Sequence, residues 1–296
     1  MASSTLTTVF LPIALAIIMF GLGLSLTVAD FTRIARVPRA ALLALSVQLI
    51  ILPLLCLGLV LLFDLEPVLA VGMMLLAASP GGTTANIFSH LAGGDVALNV
   101  TLTAVNSVIA VVTLPIVVNL SIAGFLGASS TIGLQPAKMV QVFAIVLVPV
   151  VLGMLVNRRW PVFTARVRDG VKLASIVVLV AVIGVAVWAE RANILGYLRE
   201  IGVVAVLLCA LSLAIGYFVP RLASVERRQA IASSFEIGIH NSTLAITIAL
   251  SPTLLDNARM AIPAAVYGIL MFIPAGAMAY VISRRTLSNR SLAEER

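Results

Sequence analysis

The chain is a succession of apolar runs, each long enough to cross a bilayer, and that leaves few folds open to it. A helix needs about 20 predominantly apolar residues to span the hydrocarbon core. Runs of that order lie at 6–28, 39–63, 67–89, 95–124, 138–157, 171–189, 200–220, 229–251 and 259–283. In lipid every backbone polar group must be bonded internally, so such runs become helices. The expectation is an all-α polytopic membrane protein with nine transmembrane helices and short loops, none of which reads as a soluble domain. The first run is too long for a signal-peptide apolar region and no basic stretch precedes it, so it reads as a first transmembrane helix. Hydrophobic residues make up 61% of the 296, charged residues 10%, and mean hydropathy is +1.16. The net charge of +7 comes from basic residues scattered over loops without a basic patch, so no nucleic-acid partner is expected. Cys56 and Cys209 fall inside apolar runs and read as small core hydrophobes, not as a disulfide framework.

Charge placement orients the bundle. The connection after the first span carries Arg33, Arg36 and Arg39. The one after the fifth carries Arg158, Arg159, Arg166, Arg168 and Lys172, and the one after the seventh carries Arg221, Arg227 and Arg228. With Arg284, Arg285, Arg290 and Arg296 in the tail, these alternate connections hold 15 of the 19 basic residues. The other side has Lys138, Arg191, Arg199 and Arg259. The positive side faces the cytoplasm, which places the N-terminus outside and the C-terminus in the cytoplasm of a multi-pass plasma (inner) membrane protein.

Polar residues inside the apolar runs mark the functional region. Glu236 is the one acid deep within a run; the other acids sit at segment ends or in loops, as do the Lys and Arg residues. A carboxylate there is costly and marks an ion or substrate pathway by default. With no basic side chain in the apolar runs to pair with it, a proton or a bound cation must neutralise it. Around it, Gly238, His240, Asn241 and Ser242 weaken the helix. In the third span, Pro80 is followed by Gly81 and Gly82, which predicts a second break. Two interrupted helices in corresponding halves point to a secondary transporter with inverted repeats. In the fourth span Asn99, Thr103, Asn106 and Ser107 share one helical face, which must turn inward in lipid. Gln48, with Pro53 five residues on, is the one large amide of the second span; alone it reads as packing glue.

Three stretches together resemble the bile acid:sodium symporter family: Ser79-Pro80-Gly81-Gly82-Thr83-Thr84-Ala85-Asn86, Val96 to Thr103, and Phe235 to Ser242. The resemblance runs over nearly the whole chain. It implies inverted repeats, two broken helices that cross, and core and panel domains. The resemblance implies the nine-span form of the animal members, without the first helix of ten-span bacterial relatives. The panel would comprise 1–32 and 137–190 (spans one, five and six) and the core 39–125 and 199–284, with 285–296 as a cytoplasmic tail. It implies one or two sodium ions as the bound cofactor. A first sodium site maps onto Asn86, Asn99, Thr103 and Glu236, with Ala85 where relatives often carry Ser. A second maps onto Gln48, Glu236, the backbone carbonyls of Ile237 and Ile239, and His240 where relatives carry Gln. These are oxygen donors except for the imidazole of His240, a poor sodium ligand.

The same resemblance implies an amphipathic organic anion as substrate: a bile acid, a steroid sulfate, or a small carboxylate such as pantoate or pyruvate. No Arg or Lys in the core can hold it, so the half-helix N-termini near Thr83–Asn86 and His240–Thr243 are the expected anion site. Thr83, Asn241 and Asn106 are the side-chain candidates. The reading is therefore a sodium-coupled symporter, not an enzyme, working as a monomer in lipid by alternating access. A carrier in which a proton on His240 replaces one sodium is the alternative; a neutral His240 bonded to the crossing backbone is its rival. An intramembrane enzyme would need an Asp pair, a His-Glu-x-x-His or a Ser-His arrangement, and the spans hold none. Nor do they hold the repeated polar rings of a channel, or the cysteine that arsenite export would require in a broken helix.

Overall fold

The computed structural model describes residues 11–82, 84–127, 136–167, 170, 177, 194–251 and 254–294. The expected sixth span, at 171–189, falls outside them except for residue 177, as do Thr83 and residues 6–10 of the first span. The described chain is helical almost throughout. In order it runs α1 (Leu11–Ser25), α2 (Val28–Thr32), α3 (Pro38–Ser46), α4 (Leu52–Leu62), α5 (Pro67–Ala77), α6 (Ala85–Leu91) and α7 (Val96–Phe125). Then come α8 (Pro136–Arg159), α9 (Ile194–Leu222), α10 (Arg227–Gly238), α11 (Ser242–Leu250), α12 (Ala258–Leu270) and α13 (Phe272–Glu294). Among the described residues, four stretches are long and apolar enough to cross a membrane on length and composition: Pro38–Leu62, Val96–Phe125, Gly196–Leu222 and Ala258–Arg284.

Local sequence explains where these elements begin and bend. Pro38 and Pro67 each open a helix at a position whose N–H would have no partner. Asp95 caps α7 by accepting from Leu98 N at 3.0 Å, and Asn257 caps α12 through the N–H groups of Arg259 and Met260. Between α3 and α4 the helix widens into a π turn at Val47–Ile51. Pro53 lies just downstream; it cannot supply the next regular hydrogen bond, and its ring crowds the carbonyl four residues back. Gln48 sits within this widened turn and is buried.

The third and eighth apolar runs are each broken. The chain leaves helix after Ala77 and resumes at Ala85; it leaves again after Gly238 and resumes at Ser242. Pro80 and the two glycines after it cause the first break, as expected from the sequence. At the second, Ile239 adopts an extended conformation (φ −119°, ψ 95°). The two unwound segments meet as a single antiparallel bridge between Gly81 and His240. Gly82 N donates to Ile239 O at 2.6 Å and Asn241 N donates to Pro80 O at 2.9 Å. Each break thus supplies backbone partners to the other, as irregular backbone buried at membrane depth requires.

Elsewhere small residues bring helices together. A Cβ on Gly23 of α1 would run into the Val150 carbonyl of α8, and one on Gly153 would meet the backbone at Phe20 and Leu24. Asn157 Nδ2 then donates to Leu26 O at 3.2 Å, so α1 and α8 pack backbone to backbone.

A candidate ion site at the helix crossing

The face of α7 that reads as polar is buried, and a different face is bare. Asn99, Thr103, Asn106 and Ser107 are buried, whereas Val108, Val112, Ile116 and Leu120 are exposed at four-residue intervals. The polar stripe therefore faces protein and the aliphatic stripe faces lipid, as the cost of polar groups in hydrocarbon demands.

That stripe meets α10 one turn against one turn. Asn99 Nδ2 donates to Ala232 O at 2.8 Å, and Thr103 Oγ1, one turn along α7, donates to Glu236 Oε2 at 2.5 Å, one turn along α10. Glu236 is only 2% exposed. Its other oxygen, Oε1, takes no side-chain hydrogen bond, and the Gly81 backbone of the first break faces the carboxylate. Gly81 of the first break lies so close that a Cβ there would overlap the carboxylate. No Lys or Arg among the described residues pairs with Glu236; the ion pair found is between Arg259 and Glu66, at the N-terminal ends of α12 and α5.

Other oxygens nearby are left open. Gln48 Nε2 donates to Ser79 O at 3.1 Å, which ties the π turn to the first break and leaves Gln48 Oε1 without a partner. Asn99 Oδ1 is buried and without a partner too. Uncharged amide oxygens and one carboxylate form a hard, oxygen-only donor set, suited to an alkali or alkaline-earth cation rather than to a soft metal. Ala85 opens α6 and contributes no side-chain donor; Asn86 follows it, half-buried, on the same short helix.

His240 is buried in the second break with its ring centroid 5.3 Å from that of Tyr267. The ring nitrogens make no hydrogen bond of regular geometry, but the ring faces the backbone of Ser79 in the first break, the contact expected of a neutral His240 bonded to the crossing backbone. Ile237 and Ile239 are fully buried, and Ile239 O already accepts from Gly82 N. Asn106 keeps a buried Nδ2 without a partner. Asn241 is half-buried and spends its side chain as the cap of α11, accepting from Leu244 N at 3.1 Å. The backbone N–H groups of Asn241 and Ser242 are also taken, by Pro80 O and His240 O. This half-helix N-terminus therefore keeps less anion-binding capacity than the sequence suggested.

Two residues here escaped sequence reasoning. Tyr267 and Cys209, from α12 and α9, both donate to Gly238 O, at 2.9 and 3.3 Å. Cys209 is thus a hydrogen-bonding group in addition to a core side chain, and both cysteines are free thiols. A lone tyrosine in an apolar run carries no periodic signal that would have marked it.

An acid at the crossing of two broken helices, in a multi-pass bundle, is the arrangement of a secondary transporter. Residues 12–197 match the model of the Sodium Bile acid symporter family, and the chain belongs to that family of sodium-dependent transporters. It is 28% identical over 261 residues to the uncharacterized sodium-dependent transporter YocS of Bacillus subtilis (strain 168), covering 88% of this chain and 78% of that one. It is 26% identical over 275 residues to the chloroplastic "probable sodium/metabolite cotransporter BASS2" of Oryza sativa subsp. japonica, covering 93% of this chain and 64% of the other. To the human ileal sodium/bile acid cotransporter it is 26% identical over 243 residues, with 80% of this chain and 68% of that one covered.

Proposed function

We propose that the protein couples the inward movement of sodium to that of an organic anion, by alternating access around the crossing of the two broken helices. One observation carries this reading: the buried Glu236 carboxylate, bonded to Thr103 of α7 and set against the Gly81 backbone of the first break, at the junction of both breaks. A first sodium would be held by Asn86, Asn99, Thr103 and Glu236. A second would be held by Gln48, Glu236 and the carbonyls of Ile237 and Ile239, beside His240. Thr83, Asn106 and Asn241 would face the substrate. Core and panel would divide as the resemblance implies, and the close pairing of α1 with α8 supports placing those two helices in one body.

The anion class follows from charge. An ionised Glu236, two sodium ions and a monoanion sum to zero, and an uncompensated charge in a low-dielectric site costs several kcal/mol, by order of magnitude. The names of the relatives pair sodium with a bile acid in one case and a metabolite in another. A bile acid-like or small carboxylate substrate fits both the names and the charge sum. The test is uptake of labelled organic acids into proteoliposomes with and without an inward sodium gradient. Accumulation only with the gradient is the expected result; equal accumulation without it would refute sodium coupling.

The polar stripe gives a sharper test. Thr103→Ala removes a hydrogen bond to a charged group, worth about 1.5–3 kcal/mol, so the half-saturating sodium concentration should rise roughly tenfold or more. Asn99→Ala should move it in the same direction. The substrate KM at saturating sodium should change little for either, and lipid-facing Val112→Ala should change neither quantity. Equal effects at all three positions would reduce the stripe to packing.

The buried ring of His240, beside the Ser79 backbone, carries a second, proton-coupled reading. Imidazole changes charge near physiological pH, so a proton there would replace one sodium without altering the charge sum. That reading requires a sodium Hill coefficient near one with acid-stimulated uptake, and a steeper sodium dependence with a flatter pH response in His240→Gln. A wild-type coefficient near two, indifferent to pH, would exclude it.

A further inference from the structure

The end of α10 is a helix C-terminus buried in apolar protein. Its last carbonyls have no partner within the helix and carry the negative end of its dipole. Their disposition is uneven. Gly238 O faces away from the crossing and accepts two hydrogen bonds, from Tyr267 Oη at 2.9 Å and Cys209 Sγ at 3.3 Å. Cys209 Sγ lies 3.6 Å from Met271 O as well. Ile239 O faces the crossing and accepts from Gly82 N at 2.6 Å. The cause is local: Ile239 is extended, and successive carbonyls of an extended chain point to opposite sides. Whatever fixes the direction of Gly238 O therefore fixes that of Ile239 O.

We infer that Tyr267 and Cys209 are positioning residues for the cation-binding carbonyls at the end of α10, holding Gly238 O outward so that Ile239 O is presented to the site; this rests on the sodium reading above. Both donors are fully buried, and they come from different helices, α12 and α9. A carbonyl has two lone pairs, and each donor takes one. The peptide between Gly238 and Ile239 is thereby clamped from behind. Tyr267 also sets its ring 5.3 Å from that of His240, two residues past the same carbonyl, so a single side chain supports both the backbone and the side-chain edge of the second site. At the first break, Gln48 Nε2 treats Ser79 O in the same way. Both breaks thus have a carbonyl bonded by a neighbouring helix and a backbone bond across the crossing.

The test uses the purified full-length protein and two readouts. One is the rise in melting temperature with added sodium chloride, against potassium chloride, which reports binding to the folded state. The other is sodium-driven uptake. Tyr267→Phe keeps the ring and removes only the hydroxyl; the half-saturating sodium concentration should rise about three- to tenfold. Cys209→Ala should have a smaller effect, because the stronger donor remains. The double variant leaves a buried carbonyl unpaired, so its shift should exceed the product of the two single shifts. Cys209→Ser, placed in the Tyr267→Phe background, restores a hydroxyl donor and should recover part of the loss. Substrate KM at saturating sodium should stay at its wild-type value throughout. Lower melting temperatures with unchanged sodium affinity would overturn the inference and leave the pair as packing. If the double variant fails to fold, Tyr267→Phe and its Cys209→Ser rescue decide alone. A wild type that neither gains stability from sodium nor uses it for uptake would overturn the sodium reading and this inference together; a sodium-dependent wild type with unshifted variants would overturn this inference only.

Discussion

Glu236→Gln is expected to give a folded protein that takes up no substrate in response to sodium. The side chain keeps its size, and its amide oxygen can still accept from Thr103 Oγ1, so the contact between α7 and α10 survives. What disappears is the negative charge. A carboxylate 2% exposed and without a basic partner is a burden on the sodium-free protein, so its removal should leave the melting temperature unchanged or raise it. For a cation, the same removal is severe. Losing one partner of a buried charged contact costs about 2–5 kcal/mol, or roughly 30- to several-thousand-fold in affinity. The amide NH2 would also turn a donor toward the Gly81 backbone that now faces the carboxylate. The variant should therefore lose both sodium-driven uptake and the sodium-dependent rise in melting temperature. Full sodium-driven uptake would remove Glu236 from the coupling site.

Much of this arrangement was legible in the sequence because lipid makes the rules strict. Pro80 followed by two glycines cannot continue a helix, and the break is where those residues place it. Glu236 and the stripe from Asn99 to Ser107 could be assigned to the interior because the alternative was exposure to hydrocarbon. The crossing itself was not legible from the residues. Which backbone groups of 80–82 pair with those of 239–241 depends on tertiary placement, and no side-chain pattern encodes it. The occupied N–H groups of Asn241 and Ser242 were missed for that reason. Tyr267 and Cys209 were missed for another: each is a single residue in an apolar helix whose role is to bond a carbonyl, and carbonyls leave no mark in a sequence. The π turn at Gln48 was missed as well. Gln48 read in sequence as packing glue, and although Pro53 cannot supply the next regular hydrogen bond, no irregularity was expected there.

Gly81→Ala should be as damaging as loss of the acid itself, although it adds only a methyl group to a loop. Gly81 does not adopt a positive φ, so alanine is compatible with its backbone and the effect is steric. The new Cβ would overlap both the carboxyl carbon and the oxygens of Glu236. The backbone cannot retreat, because Gly82 N–Ile239 O and Asn241 N–Pro80 O fasten the segment across the crossing. Glu236 must then swing away from Thr103 and dismantle the contact on which the first site depends. Overpacking of this kind costs about 1–3 kcal/mol in stability. Sodium-driven uptake should fall by roughly the same factor as in Glu236→Gln, because the carboxylate is present but displaced. Gly58→Ala on α4, where a Cβ would meet nothing within 4 Å, is the control and should be neutral or slightly stabilising. The decisive arm is Gly81→Ala combined with Glu236→Asp. Shortening the acid by one methylene makes room for the methyl, so the pair should recover more sodium-driven uptake than either single variant shows. Wild-type sodium affinity in Gly81→Ala alone would mean that the carboxylate is not held between the first break and Thr103.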